Sequence, residues 1–315
     1  MSKKNEVPEV DIVIDHEAGV IREVKQPGLR SKSGHERRVN GGIYTVLVIM
    51  SIIWLAPFVF LVFQSFRSYI TESGGMVAYL LPKQWSLDNY IWLLTDEKSH
   101  FLQWYGNTLI IALFCAVIQT LMVLSVSYTL SRLRFKGRKL IMNVVLVLGM
   151  FPGFLTMITL YFLLKQLGLT QQGAIPGLIL IYCASSGMGY YISKGFFDTI
   201  PKSLDESARI DGATRAQVFM KIIMPLAKPI VIYTILMAFM APWGDYVFAS
   251  YVAFGSEPNY NVAVGLYRWV NVNDYQGFFT RFCAGGVLVA VPITALFLAL
   301  QKYYVEGVTG GAVKG

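Results

Sequence analysis

The chain has 315 residues, of which 55% are hydrophobic and only 15% are charged, and its formal net charge is +8. A soluble domain carries about 25% charged residues, so the composition predicts a polytopic membrane protein and excludes a soluble globular domain. The positive charge alone would suit a nucleic-acid-binding protein, but its placement along the chain, described below, excludes that class.

Residues 1–41 are polar, mixed in charge and poor in aromatic side chains, which predicts a disordered tail. They lack the features of a secretory signal peptide, so the first apolar run is expected to be a retained anchor. The three cysteines and three histidines show no spacing typical of a metal site, and none is predicted.

A six-helix, all-α membrane domain is predicted at 42–304, because uncharged runs of about 20 residues recur there and a helix of that length spans a bilayer core. The expected spans are 43–66, 105–131, 140–164, 174–193, 229–254 and 282–301. Pro152 and Pro242 are expected to kink the third and fifth helices. The outer segments 67–104 and 255–281 predict either contact with an external partner or packing on their own helices.

Lysine and arginine are unequally divided between alternate loops. The N-terminal tail has eight, the loop 131–139 five, the loop 194–228 six and the C-terminal tail two, whereas the other side has six in total. The positive-inside rule therefore predicts that both termini are cytoplasmic.

The loop 194–228 has more organisation than a connector needs. The segment Ser203–Glu206 predicts a capping box, Gly212 a helix end, and Thr214–Gln217 a second capping box. An apolar face follows, with Pro225 breaking the helix; its members are Phe219, Ile222, Ile223 and Leu226. The pattern predicts a helix, a glycine hinge and an amphipathic helix lying against the membrane, although an ordinary interfacial loop remains the alternative.

Asp245 is the single acid inside a predicted span, and such a carboxylate usually faces a cavity or a partner. It is expected either to line a pathway with Trp243 and Tyr246 or to extend toward the membrane surface.

The same loop closely resembles the EAA motif of the membrane subunits of ATP-binding-cassette importers. The matching pattern is Glu206-Ser207-Ala208, three residues, Gly212, nine residues and Ile222-Ile223-Met224-Pro225. It departs from the family at Ser207 and Met224. Residues 196–201 and 211–214 look like the carbohydrate-uptake branch of this family. The tail 307–315 is similar to that of the MalG-type maltose/maltodextrin permeases, residues 150–152 match as well, and the likeness covers about 42–315.

This resemblance implies a permease subunit of a sugar importer in the cytoplasmic membrane of a bacterium. The implied partners are a homologous MalF-like permease, a homodimeric MalK-like ATPase, an extracytoplasmic sugar-binding protein and membrane lipid. The chain has no phosphate-binding Gly-x-x-x-x-Gly-Lys-Ser/Thr loop, so ATP and Mg²⁺ are expected on the partner subunits, with no cofactor and no catalytic residue here.

The resemblance also assigns roles to residues. Glu206, Ser207, Ala208 and Gly212 would enter a socket on the ATPase, with Ile222 and Pro225 fixing the second helix. The tail 305–315 would make a second ATPase contact through Gly310, Gly311 and Lys314. The loop between the last two spans would reach the binding protein or the sugar through Glu257, Asn259 and Tyr260, although such residues are also common in turns.

Two rival classes are left open. One is the same machinery carrying a non-sugar substrate. The other is a secondary transporter, which would need several buried ionisable groups and an internal repeat. A membrane-embedded enzyme is disfavoured because no catalytic constellation is present in the sequence.

Overall fold

A computed structural model describes residues 11–15, 20–24, 34–72, 74–76, 79–271 and 278–310. It divides into two units, residues 1–59 and 60–315. In the first unit, β1 (Asp11–Asp15) and β2 (Val20–Val24) pair antiparallel, and α1 (Gly34–Ser65) begins. The sequence predicts disorder where this hairpin lies. Its strands are rich in valine and isoleucine, whose branched side chains favour extended backbone.

The second unit is helical. Its α-helices, in chain order after α1, are α2 (Tyr69–Glu72), α3 (Asp88–Thr95), α4 (Phe101–Arg132), α5 (Arg138–Gly149), α6 (Gly153–Gln166), α7 (Ala174–Ala184), α8 (Gly187–Thr199), α9 (Ser203–Ile210), α10 (Arg215–Gln217), α11 (Met224–Leu226), α12 (Lys228–Gly244), α13 (Val247–Val252), α14 (Val262–Asn271) and α15 (Phe279–Gly310). A π-helix, Val218–Ile223, joins α10 to α11, and short 3₁₀ turns lie at Glu97–Ser99, Gln171–Gly173 and Glu257–Asn259.

Within the described residues, four helical segments are long and apolar enough to cross a membrane. They are Asn40–Ser65, Phe101–Arg132, Gln171–Thr199 and Phe279–Tyr303. The count rises to six if each of two bent pairs, α5 with α6 and Arg215–Leu226 with α12, is one span. These four segments cover most or all of the first, second, fourth and sixth predicted spans, and each is longer than the predicted span.

The third predicted span, 140–164, is not one kinked helix. The axes of α5 and α6 differ by 102° across the break. Pro152 lies at the break, where it lacks an N–H and restricts the residue before it, so the backbone leaves the helix instead of bending gently. Neither half, at about 18 and 21 Å, crosses a 30 Å core alone.

The fifth predicted span, 229–254, also ends early. The helix passes through Pro242 and stops at Gly244, and α13 begins after Asp245 and Tyr246. The Asn261 amide donates to the carbonyl oxygens of Pro242 and Asp245, at 3.1 and 2.7 Å. A side chain from the following loop thus satisfies the free carbonyls at this helix end, which the local sequence does not show.

The core of the second unit is organised around α4, which packs against α7, α8, α12 and α14. At one end Trp104 packs on Trp269, with ring centroids 5.3 Å apart, and Trp92 packs on Trp269 at 5.5 Å. Gly265 lets α14 approach closely, because a Cβ there would overlap the Trp104 ring. Part of the outer segment 67–104 therefore packs on the protein's own helices.

Candidate functional site

Residues 194–228, called the coupling segment after the role that the sequence predicts for it, contain the predicted helix, hinge and second helix. Its first helix, α9, begins at Ser203, but the predicted capping box of Ser203 and Glu206 is absent. The position before the helix is Lys202, and the N–H groups of Asp205 and Glu206 both donate to its carbonyl oxygen. Because the chain already turns helically at Lys202, Ser203 lies inside the helix instead of capping it.

The glycine hinge has the predicted left-handed geometry. Gly212 has a φ of +84°. The Ala213 N–H donates to the Ala208 carbonyl at 2.9 Å, and the Gly212 N–H donates to the Arg209 carbonyl at 3.1 Å. These two bonds are those of a Schellman helix end, which fixes the direction in which the chain leaves α9.

The second capping box is present. The Thr214 N–H donates to Gln217 Oε1 at 2.8 Å, and the Gln217 N–H donates to Thr214 Oγ1 at 3.3 Å. The following turn is a π-helix, so the buried face is shifted from the predicted one. Val218 and Ile223, five residues apart, are buried, whereas Leu226 is exposed.

This buried face completes a small second core at the far end of α4. Phe219 packs on Tyr128 of α4, with ring centroids 4.7 Å apart. Ala208 of α9 is buried in the same cluster, which has eight buried members: Leu124, Phe197, Ile200, Ala208, Val218, Ile223, Ala227 and Ile230. Ala208 therefore packs against the protein's own core and is not exposed for contact with a partner. Of the two residues predicted to fix the second helix, Ile222 is half-buried and Pro225 is exposed.

An ion pair also joins α9 to α4. Asp205 Oδ2 lies 3.1 Å from Arg132 Nε, and the two side chains are 15% and 4% exposed. Arg132 Nη2 also donates to the Ile200 carbonyl at 2.8 Å. Burial raises the pKa of the Asp205 carboxyl above its usual value, and the neighbouring Glu206 adds to this, although Arg132 acts in the opposite direction.

The outward side of α9 is open. Leu204, Ser207 and Ile210 are exposed at i, i+3 and i+6, and Ile210 is 86% exposed. Residues at this spacing share one helix face, so they form a ridge. Glu206 is exposed as well and has no ion-pair partner within the described part of the chain. A small apolar ridge beside a free carboxylate on a firmly anchored helix is suited to protein contact.

At the other end of the molecule, the loop after α13 is fixed on α4. Trp104 Nε1 donates to the Glu257 carbonyl at 3.0 Å, and the Asn107 amide donates to the Pro258 and Tyr260 carbonyls at 2.8 and 2.9 Å. Tyr260 is buried and accepts a hydrogen bond from Arg268 at 2.8 Å. The side chains of Glu257 and Asn259 remain partly exposed.

The three residues predicted around the fifth span lie in different environments. Trp243 is buried and packs edge-on against Tyr105, 5.2 Å between ring centroids. Asp245 accepts hydrogen bonds from the Tyr182 hydroxyl and, at 3.0 Å, from the Phe248 N–H at the start of α13. These contacts give Asp245 a structural partner and place Trp243 in the core instead of on a cavity wall.

Tyr246 does line a cavity, of about 540 Å³, beside the fixed loop. It stacks on Tyr267, with ring centroids 3.9 Å apart. Tyr251 and Arg268 also line this outer cavity, and sequence reasoning missed both. Their spacing along the chain gives no sign of the shared wall, because Tyr251 comes from α13, which the sequence predicts as the end of the fifth span, and Arg268 comes from α14, in the loop that follows.

The C-terminal tail is helical as far as it is described. The last helix continues through Glu306 to Gly310, past the predicted end of the span at 301. Gly311 and Lys314, both predicted to contact the ATPase, lie outside the described residues.

Comparison with known proteins relates this chain to transport permeases. A family model described as "Binding-protein-dependent transport system inner membrane component" matches residues 122–310. The galactooligosaccharides transport system permease protein GanQ of Bacillus subtilis (strain 168) is 37% identical over 86% of this chain and 94% of its own length. The maltodextrin transport system permease protein MdxG of the same strain is 36% identical over 86% of this chain and 95% of its own length.

A solved structure shares the fold. The chain is similar to part of a bacterial ABC transporter involved in the import of the acidic polysaccharide alginate, with a TM-score of 0.73 and 23% identity. The match covers 86% of this chain and 98% of the compared chain.

Proposed function

The chain belongs to the family of binding-protein-dependent transport system inner membrane components, and we propose that α9 couples its sugar transport to a cytoplasmic ATPase. It is a multi-pass membrane protein and a permease of an ABC sugar importer. We expect both of its termini to be cytoplasmic, which puts the coupling segment on the same side as ATP.

The exposed ridge of α9 on a firmly packed base is the observation that carries this proposal. Leu204, Ser207 and Ile210 are free to enter a partner surface, while Ala208 on the opposite side is buried in the core at the end of α4. Force applied to the ridge therefore reaches α4 through the second core and through the Arg132–Asp205 pair. A rigid lever of this kind transmits motion because packed side chains resist compression.

The proposed assembly contains a second, homologous permease, two copies of the ATPase and an extracytoplasmic sugar-binding protein. ATP and Mg²⁺ would bind the ATPase. The tail residues Gly310, Gly311 and Lys314 are proposed as a second contact with that subunit. The partly exposed side chains of Glu257 and Asn259 are proposed to meet the binding protein, on the outer side of the membrane.

The proposed substrate is an oligosaccharide, either a maltodextrin or a related sugar. The relatives GanQ and MdxG are named for galactooligosaccharides and maltodextrin. The outer cavity supports a saccharide, because Tyr246 and Tyr251 supply aromatic rings and Arg268 a hydrogen-bond donor on one wall. A non-sugar substrate carried by the same class of importer is the alternative.

The experiment is Glu206→Lys, assayed by uptake of labelled maltotriose and of a labelled galactooligosaccharide in a strain that lacks this subunit. Charge reversal on the open face of α9 is expected to abolish uptake while membrane insertion stays normal. The matched control is Glu97→Lys, which reverses an exposed carboxylate away from the coupling segment. Normal uptake by Glu206→Lys would refute the coupling role, and wild-type uptake of neither sugar would refute the substrate class.

A further inference from the structure

A second cavity, of about 420 Å³, lies beside the coupling segment. Its wall combines the end of α4, the loop that follows, the first turn of α5, and residues of α9 and α10. Six cationic side chains and two carboxylates line it, an excess of four positive charges. The six cations are Arg132, Arg134, Arg138, Lys202, Arg209 and Arg215. A volume of this size is in the range of small-ligand sites.

Arg132, on the cavity wall, has a buried hydrogen-bond donor without an acceptor in the described part of the chain. Its side chain is only 4% exposed, and its Nη2 donates to the Ile200 carbonyl. Its Nη1 is buried and has no hydrogen-bond partner within the described residues. Buried guanidinium N–H groups are normally all paired, so an acceptor is missing at this position.

The chain's own acids do not fill that role. Asp205 lies on the Nε side of Arg132, and neither it nor Glu206, the other carboxylate of the wall, hydrogen-bonds to the buried Nη1. Arg134, Arg138 and Arg215 have no ion-pair partner in the part of the chain that the structure describes. Two carboxylates among six cations offset this positive charge only in part.

The start of α5 adds to the positive field. Gly137 precedes this twelve-residue helix and offers no side-chain cap, so its first N–H groups point outward without an acceptor side chain. Arg138 occupies the first helical position, where the helix dipole disfavours a cation. An anion at this place would offset both effects.

We propose that this cavity binds a phosphate group. The shared chemistry is a tetrahedral oxyanion held by guanidinium groups, which pair with phosphate through two parallel hydrogen bonds. The group has two sources, the headgroup of an anionic phospholipid or a free phosphate ester. Basic pockets between membrane helices on the cytoplasmic side are typical of the first. The site does not involve the sugar, and it lies beside the coupling contact: Glu206 and Arg209 of α9 line it, whereas the ridge residues Leu204, Ser207 and Ile210 do not.

The test uses the full chain, purified with its transporter subunits, and a double variant, Arg134→Gln/Arg138→Gln. The matched control is Lys136→Gln/Lys139→Gln, which removes the same charge from the same stretch, 134–139, at exposed positions that do not line the cavity. A third variant, Arg134→Lys/Arg138→Lys, keeps the charge and shows whether a loss of binding comes from misfolding.

In the lipid arm, nanodiscs of phosphatidylcholine and phosphatidylglycerol are analysed by native mass spectrometry. The wild type is expected to retain phosphatidylglycerol preferentially, and the arginine-to-glutamine variant to lose this preference about tenfold. In the anion arm, inorganic phosphate is added to protein in phosphatidylcholine nanodiscs, with chloride at equal ionic strength as reference. A phosphate-dependent rise in Tm that the same variant loses identifies a free anion.

Either arm supports the proposal and names the source. Wild-type protein that shows neither a phosphatidylglycerol preference nor a phosphate-dependent Tm would overturn it. Equal losses in the arginine and lysine double variants would overturn it too, because they would show a diffuse surface charge. So would a phosphatidylglycerol preference that appears only when the ATPase subunit is absent, because an acidic protein surface would then be the natural occupant.

Discussion

Arg132 Nε at the end of α4 lies 3.1 Å from Asp205 Oδ2 on α9, and this contact joins the central helix of the core to the proposed coupling helix. Arg132 also donates to the Ile200 carbonyl, which lies just before α9. The same arginine therefore contacts both the segment before α9 and its first turn, so displacement of α9 is expected to move the end of α4.

Replacing Arg132 by Gln should destabilise the protein by about 3 kcal/mol, because it leaves the Asp205 carboxyl buried without its cation. Asp205→Asn should cost less, because burial disfavours the charged carboxyl, as its raised pKa indicates, and the amide oxygen can still accept a hydrogen bond from Arg132 Nε. Thermal unfolding of the purified protein measures both changes. Lys136→Gln, an exposed neighbour in the same loop, should leave Tm unchanged. Equal losses for Arg132→Gln and Asp205→Asn would contradict this explanation.

Gly212→Ala tests the hinge. A non-glycine residue at φ +84° costs about 1–2 kcal/mol, so the turn is expected to open and uptake to fall, although the side chain would meet no neighbour. Gly195→Ala is the control, because this glycine lies on the exposed side of α8 with nothing within 4 Å. There alanine should raise stability by about 0.5–1 kcal/mol. Uptake assays and thermal unfolding give the comparison, and unchanged uptake by Gly212→Ala would remove the hinge from the mechanism.

The coupling segment shows which features the sequence alone can predict. The hinge and the Thr214–Gln217 box were predicted correctly because both depend on residues within one turn of each other. The cap at Ser203 was predicted wrongly, because the chain enters the helix one residue earlier, at Lys202. The Arg132–Asp205 pair joins segments far apart in the chain, so no local pattern shows it.

In the membrane helices, too, local features are predictable from the sequence and long-range contacts are not. Apolar length predicts where helices lie, but not where they break. The fifth span ends at Gly244 because Asn261, from a later loop, satisfies its carbonyl groups. The sequence predicts that Trp243 and Tyr246 share a pathway wall, yet Trp243 lies in α12 and Tyr246 lies beyond its end, in the break before α13. Only Tyr246 lines the outer cavity, whereas Trp243 is buried.

The outer cavity gives a prediction about the substrate. Tyr251 is exposed and lines it, so Tyr251→Ala should slow sugar uptake about five- to tenfold, the loss expected for one aromatic contact worth about 1 kcal/mol. Tyr251→Phe should keep most of the activity, because the ring face makes the contact. Tyr44→Ala, at an exposed tyrosine of α1, is the control. Uptake by Tyr251→Ala equal to that of the control would place the sugar route elsewhere.

The most direct measurement of the coupling role is site-directed cross-linking from the exposed ridge of α9. Cys115, Cys183 and Cys283 are buried, so a single Ser207→Cys variant gives one accessible thiol among the described residues. It is predicted to cross-link to the ATPase subunit in inside-out vesicles, with a yield that changes when ATP is added, whereas Glu97→Cys gives no such product. Labelling of Ser207→Cys by an impermeant reagent from outside the cell, or the absence of any ATPase cross-link from it, would contradict the account.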